Sequence, residues 1–485
     1  MHMKSIQFAF TLVLIFAFSS HGLSQKWVDT LYQIKIDRDL PYGTVTGFSG
    51  KTETLFLDVA YPTNDTVPYC GRPLVIVVHG GAWLAGSKDD VQVQNLMQDF
   101  AKRGYVSVAI NYRLGAFYPS VFRNCNISNL GAEWNCVNLQ DTSEWLRAYY
   151  RAVQDTKGAM RFMVNRHDRF SINLSNVYLC GFSAGGYTAL GAAFLDHESE
   201  WHAVADSIAP AVRPASNYDN GCANKYGWNI KAVDMDLSRP SLGSLHGTLH
   251  YPADVPFNIR GVGNLYGGMF YNLLDSSSNA FPEPAVYGFH QPNDLIVPYK
   301  GGRRVFDGLS SCAYTFCGRG IQNRVVSYSS SSIHQWTYDL KSKGKTGPVM
   351  LFDSTKNNVN CAGQIADPSK GGHQLDNYWL RTNRMAAFFA EQYDTNCFQI
   401  SARPLDRPKT ELNLFPNPGQ TSLTIVSEKT IQEVVILDMN GKMFQTIKNQ
   451  NRVMHVNTSN LPVGIYLVKI QTDEGQWVHK KWIKS

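Results

Sequence analysis

Val177-Tyr178-Leu179-Cys180-Gly181-Phe182-Ser183-Ala184-Gly185 is the stretch that decides the fold. Its first four residues form an apolar run, which reads as a buried strand from Asn176 to Cys180. From Ala184 to Phe194 the residues are small and apolar, and read as a helix. Between the two lies Gly181-Phe182-Ser183-Ala184-Gly185, a G-x-S-x-G pattern. A turn this tight between strand and helix needs glycine two residues to either side, so that the backbones can approach. The serine at its apex is then raised above the sheet edge, at the positive end of the helix.

Working outward, Pro73 to Val78 and Val106 to Tyr112 are further apolar, β-branched runs that read as buried strands. Asp141 to Asn165 reads as an amphipathic helix, with Ala152, Ala159, Met160 and Met163 at helical spacing. Val204 to Val212 and Ala285 to Phe289 are strand candidates, and Asp376 to Tyr393 a closing helix. Strands alternating with helices predict an α/β fold, a mostly parallel sheet covered on both faces. The rhythm breaks at about 213–284, a stretch rich in Gly, Pro, Asn and aromatic residues. It reads either as a substrate-covering lid or as a surface elaboration with its own small core.

The first apolar strand ends in His79-Gly80-Gly81-Ala82-Trp83. Small residues there leave backbone N–H groups free to face a developing oxyanion, so Gly81, Ala82 and the Ala184 amide are the expected donors. A serine nucleophile needs a base, and the base needs a carboxylate, in the chain order Ser, Asp or Glu, His. Asp294 follows a strand in a polar loop (His290-Gln291-Pro292-Asn293-Asp294) and is the expected acid, with Asp234, Asp236 and Asp353 as rivals. His373 follows Gly371-Gly372 before the closing helix and is the expected base, with His290 and His334 as rivals.

These motifs, HGGAW, GFSAGG, NDxxVP and GGH, resemble those of esterases and lipases of the α/β-hydrolase superfamily, over about residues 55 to 395. The resemblance implies the α/β-hydrolase fold and hydrolysis of carboxylic esters by acyl transfer. Ser183 would be the nucleophile, His373 the base and Asp294 its partner, and no metal or organic cofactor would be needed. The third small residue of the loop is Ala82 rather than Gly, as in arylformamidase-like and feruloyl- or acetyl-esterase-like relatives, so the ester stays open. An amidase or peptidase on the same fold, and a non-catalytic binding protein, are the alternatives.

The ends of the chain read separately. Lys4, the apolar run Phe8 to Phe18 and the small residues before Gln25 predict a signal peptide over 1–24, too short to span a bilayer comfortably. Residues 25–401 then form the catalytic domain, 402–410 a Pro-containing linker, and 411–485 a small all-β sandwich built from short alternating runs. Leu414-Phe415-Pro416-Asn417-Pro418, Ile436 to Lys442 and Leu461 to Tyr466 resemble the C-terminal sorting domain of the type IX secretion system. That resemblance implies export across an outer membrane, with the secretion machinery as a partner beside the ester substrate.

Nine cysteines fit an oxidising compartment. Cys180 reads as a buried free thiol, and Cys125 with Cys136 and Cys312 with Cys317 would close short polar loops. No C-x-x-C or H-E-x-x-H spacing points to a metal. The net charge of +6 is spread without a basic block, so nothing points to nucleic acid.

Overall fold

The apolar runs form the middle of an eight-stranded sheet in the computed structural model. Its strands are β1 (Ile34–Thr46), β2 (Thr52–Pro62), β3 (Arg72–Val78), β4 (Val106–Ile110), β5 (Ile172–Phe182), β6 (Ile259–Leu265), β7 (Ala285–His290) and β8 (Met350–Ser354). They lie in the order β1-β2-β4-β3-β5-β6-β7-β8. β2 runs antiparallel to both its neighbours, and every later pair is parallel. The structure describes residues 26–117, 142–201, 205, 219–223, 228–231, 236, 238–274, 284–308, 324–355, 363, 372–396, 412–438, 442–473 and 477–485. The chain divides into two compact units, residues 1–398 and 399–485.

β3 and β5 are buried along their whole length. Successive side chains of a strand point to opposite faces, so β3 feeds two cores. Leu74, Ile76 and Val78 pack with Trp145, Tyr149 and Val153 of α2 (Thr142–Val164) and with Tyr187 and Leu190 of α3 (Ala184–Phe194). Val75 and Val77 pack on the other face with Leu96, Met97 and Phe100 of α1 (Val91–Lys102) and with Met385 and Phe389 of α5 (Tyr378–Glu391). α4 (Ser330–Ser342) adds Ile333 and Leu340 to the first core. Each large apolar side chain buried this way contributes about 2 kcal/mol. The result is a three-layer α/β/α unit with the strand order of the α/β-hydrolase fold.

The expected strands and helices between residues 72 and 194 appear within a few residues of their expected ends. Elsewhere the structure corrects the reading. β6 lies at 259–265, between β5 and β7, so the stretch 213–284 is not one insertion but contains a central strand of the sheet. Gly261 and Gly263 hid it from hydrophobic pattern; each lies against large side chains, Tyr178 and Phe389 for the first and Met385 for the second. Before β6, the described part of the stretch packs along α2: Arg161 donates to the Leu249 and His246 carbonyls, and Gln154 to those of Leu242 and Ser244. Most of the strand candidate Val204 to Val212 lies outside the described residues, as do the linker 402–410 and the segment 1–24.

The C-terminal unit has β9 (Leu412–Phe415), β10 (Ser422–Asp438), β11 (Met443–Asn457), β12 (Gly464–Thr472) and β13 (Trp477–Lys484) in one antiparallel sheet. The runs Leu423 to Val426 and Val434 to Leu437, which look separate in sequence, belong to the single strand β10. A register break between Val426 and Ile431 bends it. Its first half pairs with β9 and its second with β12. The curled sheet thereby closes Leu423 and Ile425 over the same core as Val434, Ile436, Val468 and Trp482.

Candidate active site

Ser183 links β5 to α3 with φ 54° and ψ −121°, a conformation that side-chain-bearing residues seldom adopt. The turn is held from both sides. The Ser183 amide donates to the Leu265 carbonyl of β6 at 2.9 Å, and its carbonyl accepts from Gly186 N at 2.9 Å. A Cβ on Gly181 would stand 2.3 Å from the Gly185 carbonyl group, and one on Gly185 would stand 2.2 Å from the Val78 oxygen of β3. These obstacles are backbone and cannot swing aside. Gly181→Ala is therefore expected to lower stability by about 2–3 kcal/mol, read as a reduced urea midpoint with unchanged m-value.

Asp294 lies in the loop after β7, its carboxylate fully buried. Oδ1 accepts from the amides of Ile296 at 2.8 Å and Val297 at 3.0 Å. Oδ2 faces His373 Nδ1 at 2.8 Å. His373 Nε2 stands 2.8 Å from Ser183 Oγ, so three residues spread over 190 positions of sequence form one chain of hydrogen bonds. With Nδ1–H donating to the carboxylate, Nε2 is left as acceptor for the serine hydroxyl. Gly372 permits this approach, because a Cβ there would come within 2.5 Å of Asp294 N. The Tyr266 ring meets His373 edge-on, with centroids 4.8 Å apart.

Burial alone would raise the Asp294 carboxyl above its ordinary value. The histidines beside it, His373 and His290, outweigh burial and hold it below. His290 was a rival for the base; it lies fully buried on the far side of the acid, with Nε2 3.0 Å from Asp294 Oδ2 and 3.0 Å from the Val297 carbonyl. Sequence reasoning missed it as a partner of the acid, although its spacing of four from Asp294 was visible. His334 lies on α4, exposed. Asp353 is occupied by Arg381 and Arg384, at 2.6 Å each. Asp236 is exposed, and its amide donates to the Ser49 carbonyl. Asp234 lies outside the described residues.

The loop after β3 takes the backbone turn that its small residues allow. Gly81 has φ 103° and Ala82 φ 54°. The Gly81 carbonyl accepts from Leu84 at 2.9 Å and Ala85 at 3.0 Å, closing the turn. Ala184 opens α3, where first-turn amides have no intrahelical acceptor. Gly81, Ala82, Ser183 and His373 share a cleft of about 730 Å³ with Phe182, Tyr266, Ile296 and Phe306 as apolar wall and Asp89 and Asp90 at its polar side. Lys88 pins the start of that wall to the sheet edge, with Nζ 3.0 Å from Asp58 and 2.8 Å from both Asp39 and Asp89.

His79, which opens the loop, is buried and stacks on Tyr112 with centroids 4.1 Å apart. Burial pushes its pKa down to about 4, so it is a neutral support for the turn. Among the described residues no cluster of three or more His, Cys, Asp or Glu side chains could hold a metal, and no helix is long and apolar enough to cross a membrane. Cys180 is a free, buried thiol, and burial raises its pKa well above the ordinary range. Cys70 is disulfide-bonded. Cys125, Cys136, Cys312 and Cys317 lie outside the described residues.

The sheet order, the elbow and the hydrogen-bonded Ser, His and Asp define the class: an α/β-hydrolase with the constellation of a serine hydrolase. Comparison with known families agrees. Residues 57–130 and 122–227 match the family described as BD-FAE, and residues 413–485 match the secretion system C-terminal sorting domain. The chain thus joins an esterase-like α/β-hydrolase domain to a sorting domain that addresses it for export to the cell surface or beyond.

Among curated proteins none matches. Similar solved structures include a truncated carbohydrate esterase from gut microbiota, 13% identical over 75% of this chain and 98% of that one, with TM-score 0.35. Another is esterase B from Lactobacillus rhamnosis, 13% identical over 83% and 95%, with TM-score 0.34. A third is Thermogutta terrifontis esterase 2 phosphorylated by paraoxon, 15% identical over 74% and 94%, with TM-score 0.36.

Proposed function

We propose that this chain is an exported serine hydrolase that cleaves carboxylic esters through an acyl-enzyme. The observation that carries the reading is the continuous hydrogen-bonded path from Asp294 through His373 to Ser183, opening onto the cleft beside Gly81 and Ala82. In the first step Ser183 Oγ attacks the ester carbonyl carbon as its proton passes to His373 Nε2. The carbonyl oxygen, now negative, is held by the amides of Gly81, Ala82 and Ala184. His373 then gives the proton to the departing alcohol, and Asp294 stabilises the imidazolium meanwhile. Water, activated by the same histidine, releases the acid and restores the serine. The serine proton leaves with the alcohol and the attacking water replaces it through His373, so the chemistry calls for no metal or organic cofactor.

In this reading residues 1–24 are a signal peptide removed before Gln25, 25–401 the catalytic domain, 402–410 a linker, and 411–485 the portion read by the type IX machinery. Disulfides stabilise the exported protein. Its partners are a small or polymer-derived ester and the export apparatus; nucleic acid is not among them.

The deciding experiment offers the chain p-nitrophenyl acetate, butyrate, octanoate and dodecanoate beside the matching p-nitroanilides. Ester turnover with little or no anilide cleavage is expected. Anilide or peptide cleavage without ester turnover would replace the reading by the amidase one. Folded protein inert to every substrate would point to a binding role.

A further inference from the structure

A carboxylate offers two lone pairs on each oxygen. Asp294 Oδ1 uses its pair on the amides of Ile296 and Val297, and Oδ2 accepts from His373 Nδ1. The remaining side of Oδ2 faces His290, the last residue of β7, whose Nε2 stands 3.0 Å away. The same nitrogen bonds the Val297 carbonyl, also at 3.0 Å. A carbonyl and an ionised carboxylate can only accept, so Nε2 carries a proton. Nδ1, on the other edge of the ring, is buried with no partner among the described residues. His290 therefore works through one edge only, and that edge meets the acid.

It holds the acid in two ways. Val297 is gripped at both ends, its carbonyl by His290 and its amide by Oδ1, so the ring fixes the backbone that orients the carboxylate. The positive end of the Nε2–H bond also lies against the oxygen that faces the base. A carboxylate that shares its charge with a second donor pulls less strongly on an imidazolium proton. Both histidines hold the Asp294 carboxyl below its ordinary value against the effect of burial.

Tyr266 meets His373 edge-on, and Tyr299 meets His290 edge-on with centroids 5.8 Å apart. Burial raises the hydroxyls of Tyr266 and of Tyr187, which also feels Asp294, well above neutrality. Asp89 and Asp90 line the same cleft as His373. On β8, Ser354 lies opposite His290 in register, and its neighbour Asp353 is paired with Arg381 and Arg384. We infer that His290 is a positioning residue for the proposed reaction: its Nε2–H fixes the Asp294 carboxylate and weakens its pull on the imidazolium, so that His373 stays neutral, and able to take the serine proton, down to lower pH. The inference rests on the serine-hydrolase reading above.

Two replacements separate this role from loop packing. His290→Gln can place an amide N–H where Nε2 stands, and His290→Leu fills the space without a donor. In His290→Leu, kcat on p-nitrophenyl butyrate is expected to fall about tenfold to a hundredfold, with KM changed less than about threefold. The acid limb of its kcat/KM profile is expected to move up by about half a pH unit or more. His290→Gln is expected to return the limb to the parent position and to recover most of kcat. Nitrogen NMR of the parent, with the His290 signals assigned by their loss in His290→Gln, reads the ring without any ester. Nε2 should carry a proton from about pH 5 to 9. A folded His290→Leu with its limb unmoved, a His290→Gln as impaired as His290→Leu, or a parent with bare Nε2 would each overturn the role. Should His290→Leu not fold, the state of Nε2 and the limb of His290→Gln decide. A parent that turns over no ester fails the serine-hydrolase reading, and this role with it; an active parent with bare Nε2 fails this role alone.

Discussion

Ser183→Ala is expected to lower kcat on p-nitrophenyl butyrate by about a millionfold, to the limit of detection, with the protein still folded. The size follows from the chemistry. Without Oγ there is no acyl-enzyme, and His373 has no proton to take from the protein. What survives is whatever the Gly81, Ala82 and Ala184 amides do for direct attack by water. Alanine removes one oxygen from a turn whose backbone bonds to Leu265 and Gly186 remain. Far-UV circular dichroism and the urea midpoint should therefore match the parent. A variant that keeps more than about a hundredth of the activity would mean that another group is the nucleophile, and the whole constellation would have to be reassigned.

Asp294→Asn is expected to cost about ten-thousandfold in kcat, through His373 rather than through the substrate. The amide fills the same buried space but carries no charge. Its NH₂ can turn toward Nδ1 and move the imidazole proton to Nε2, where the base then has no lone pair for the serine. KM should change far less than kcat. The same substitution has a signature in stability. The folded-state pKa of Asp294 is held below its ordinary value by its two histidines, against the effect of burial. Its ionised form therefore adds stability that is complete above the unfolded value, about 3.9, and is lost as pH falls through the lower folded value. The deficit of Asp294→Asn should be full near pH 7 and should shrink below about pH 4. Urea midpoints at pH 7 and pH 3 measure it; a deficit that grows on acidification would contradict the assignment of charge at this site.

Several features were legible before any coordinates. β3, β5, α2 and α3 are continuous patterns, and a fully buried strand or an amphipathic helix writes its burial directly into consecutive residues. The elbow was legible because glycine is the residue type that fits its close approaches, to Gly185 and to the Val78 oxygen. His373 and Asp294 stood out for their loop positions relative to a strand and a closing helix. β6 was not legible. Gly261 and Gly263 make room for Tyr178, Phe389 and Met385, so the strand lacks the apolar run that marks its neighbours. β10 was read as two pieces because a bend in one strand and a turn between two look alike in polar residues.

The chain's local patterns by themselves determined the layered α/β class, the position of the serine turn and the separate all-β tail. Each depends on residues close in sequence, whose spacing sets backbone conformation and burial. Only the tertiary structure decided which histidine meets which acid, and that His290 backs Asp294 from behind. The first depends on residues far apart in the chain, brought within 3 Å by the sheet order and by side-chain packing, and the second on how the loop after β7 turns back on the strand end; neither is encoded in a local pattern.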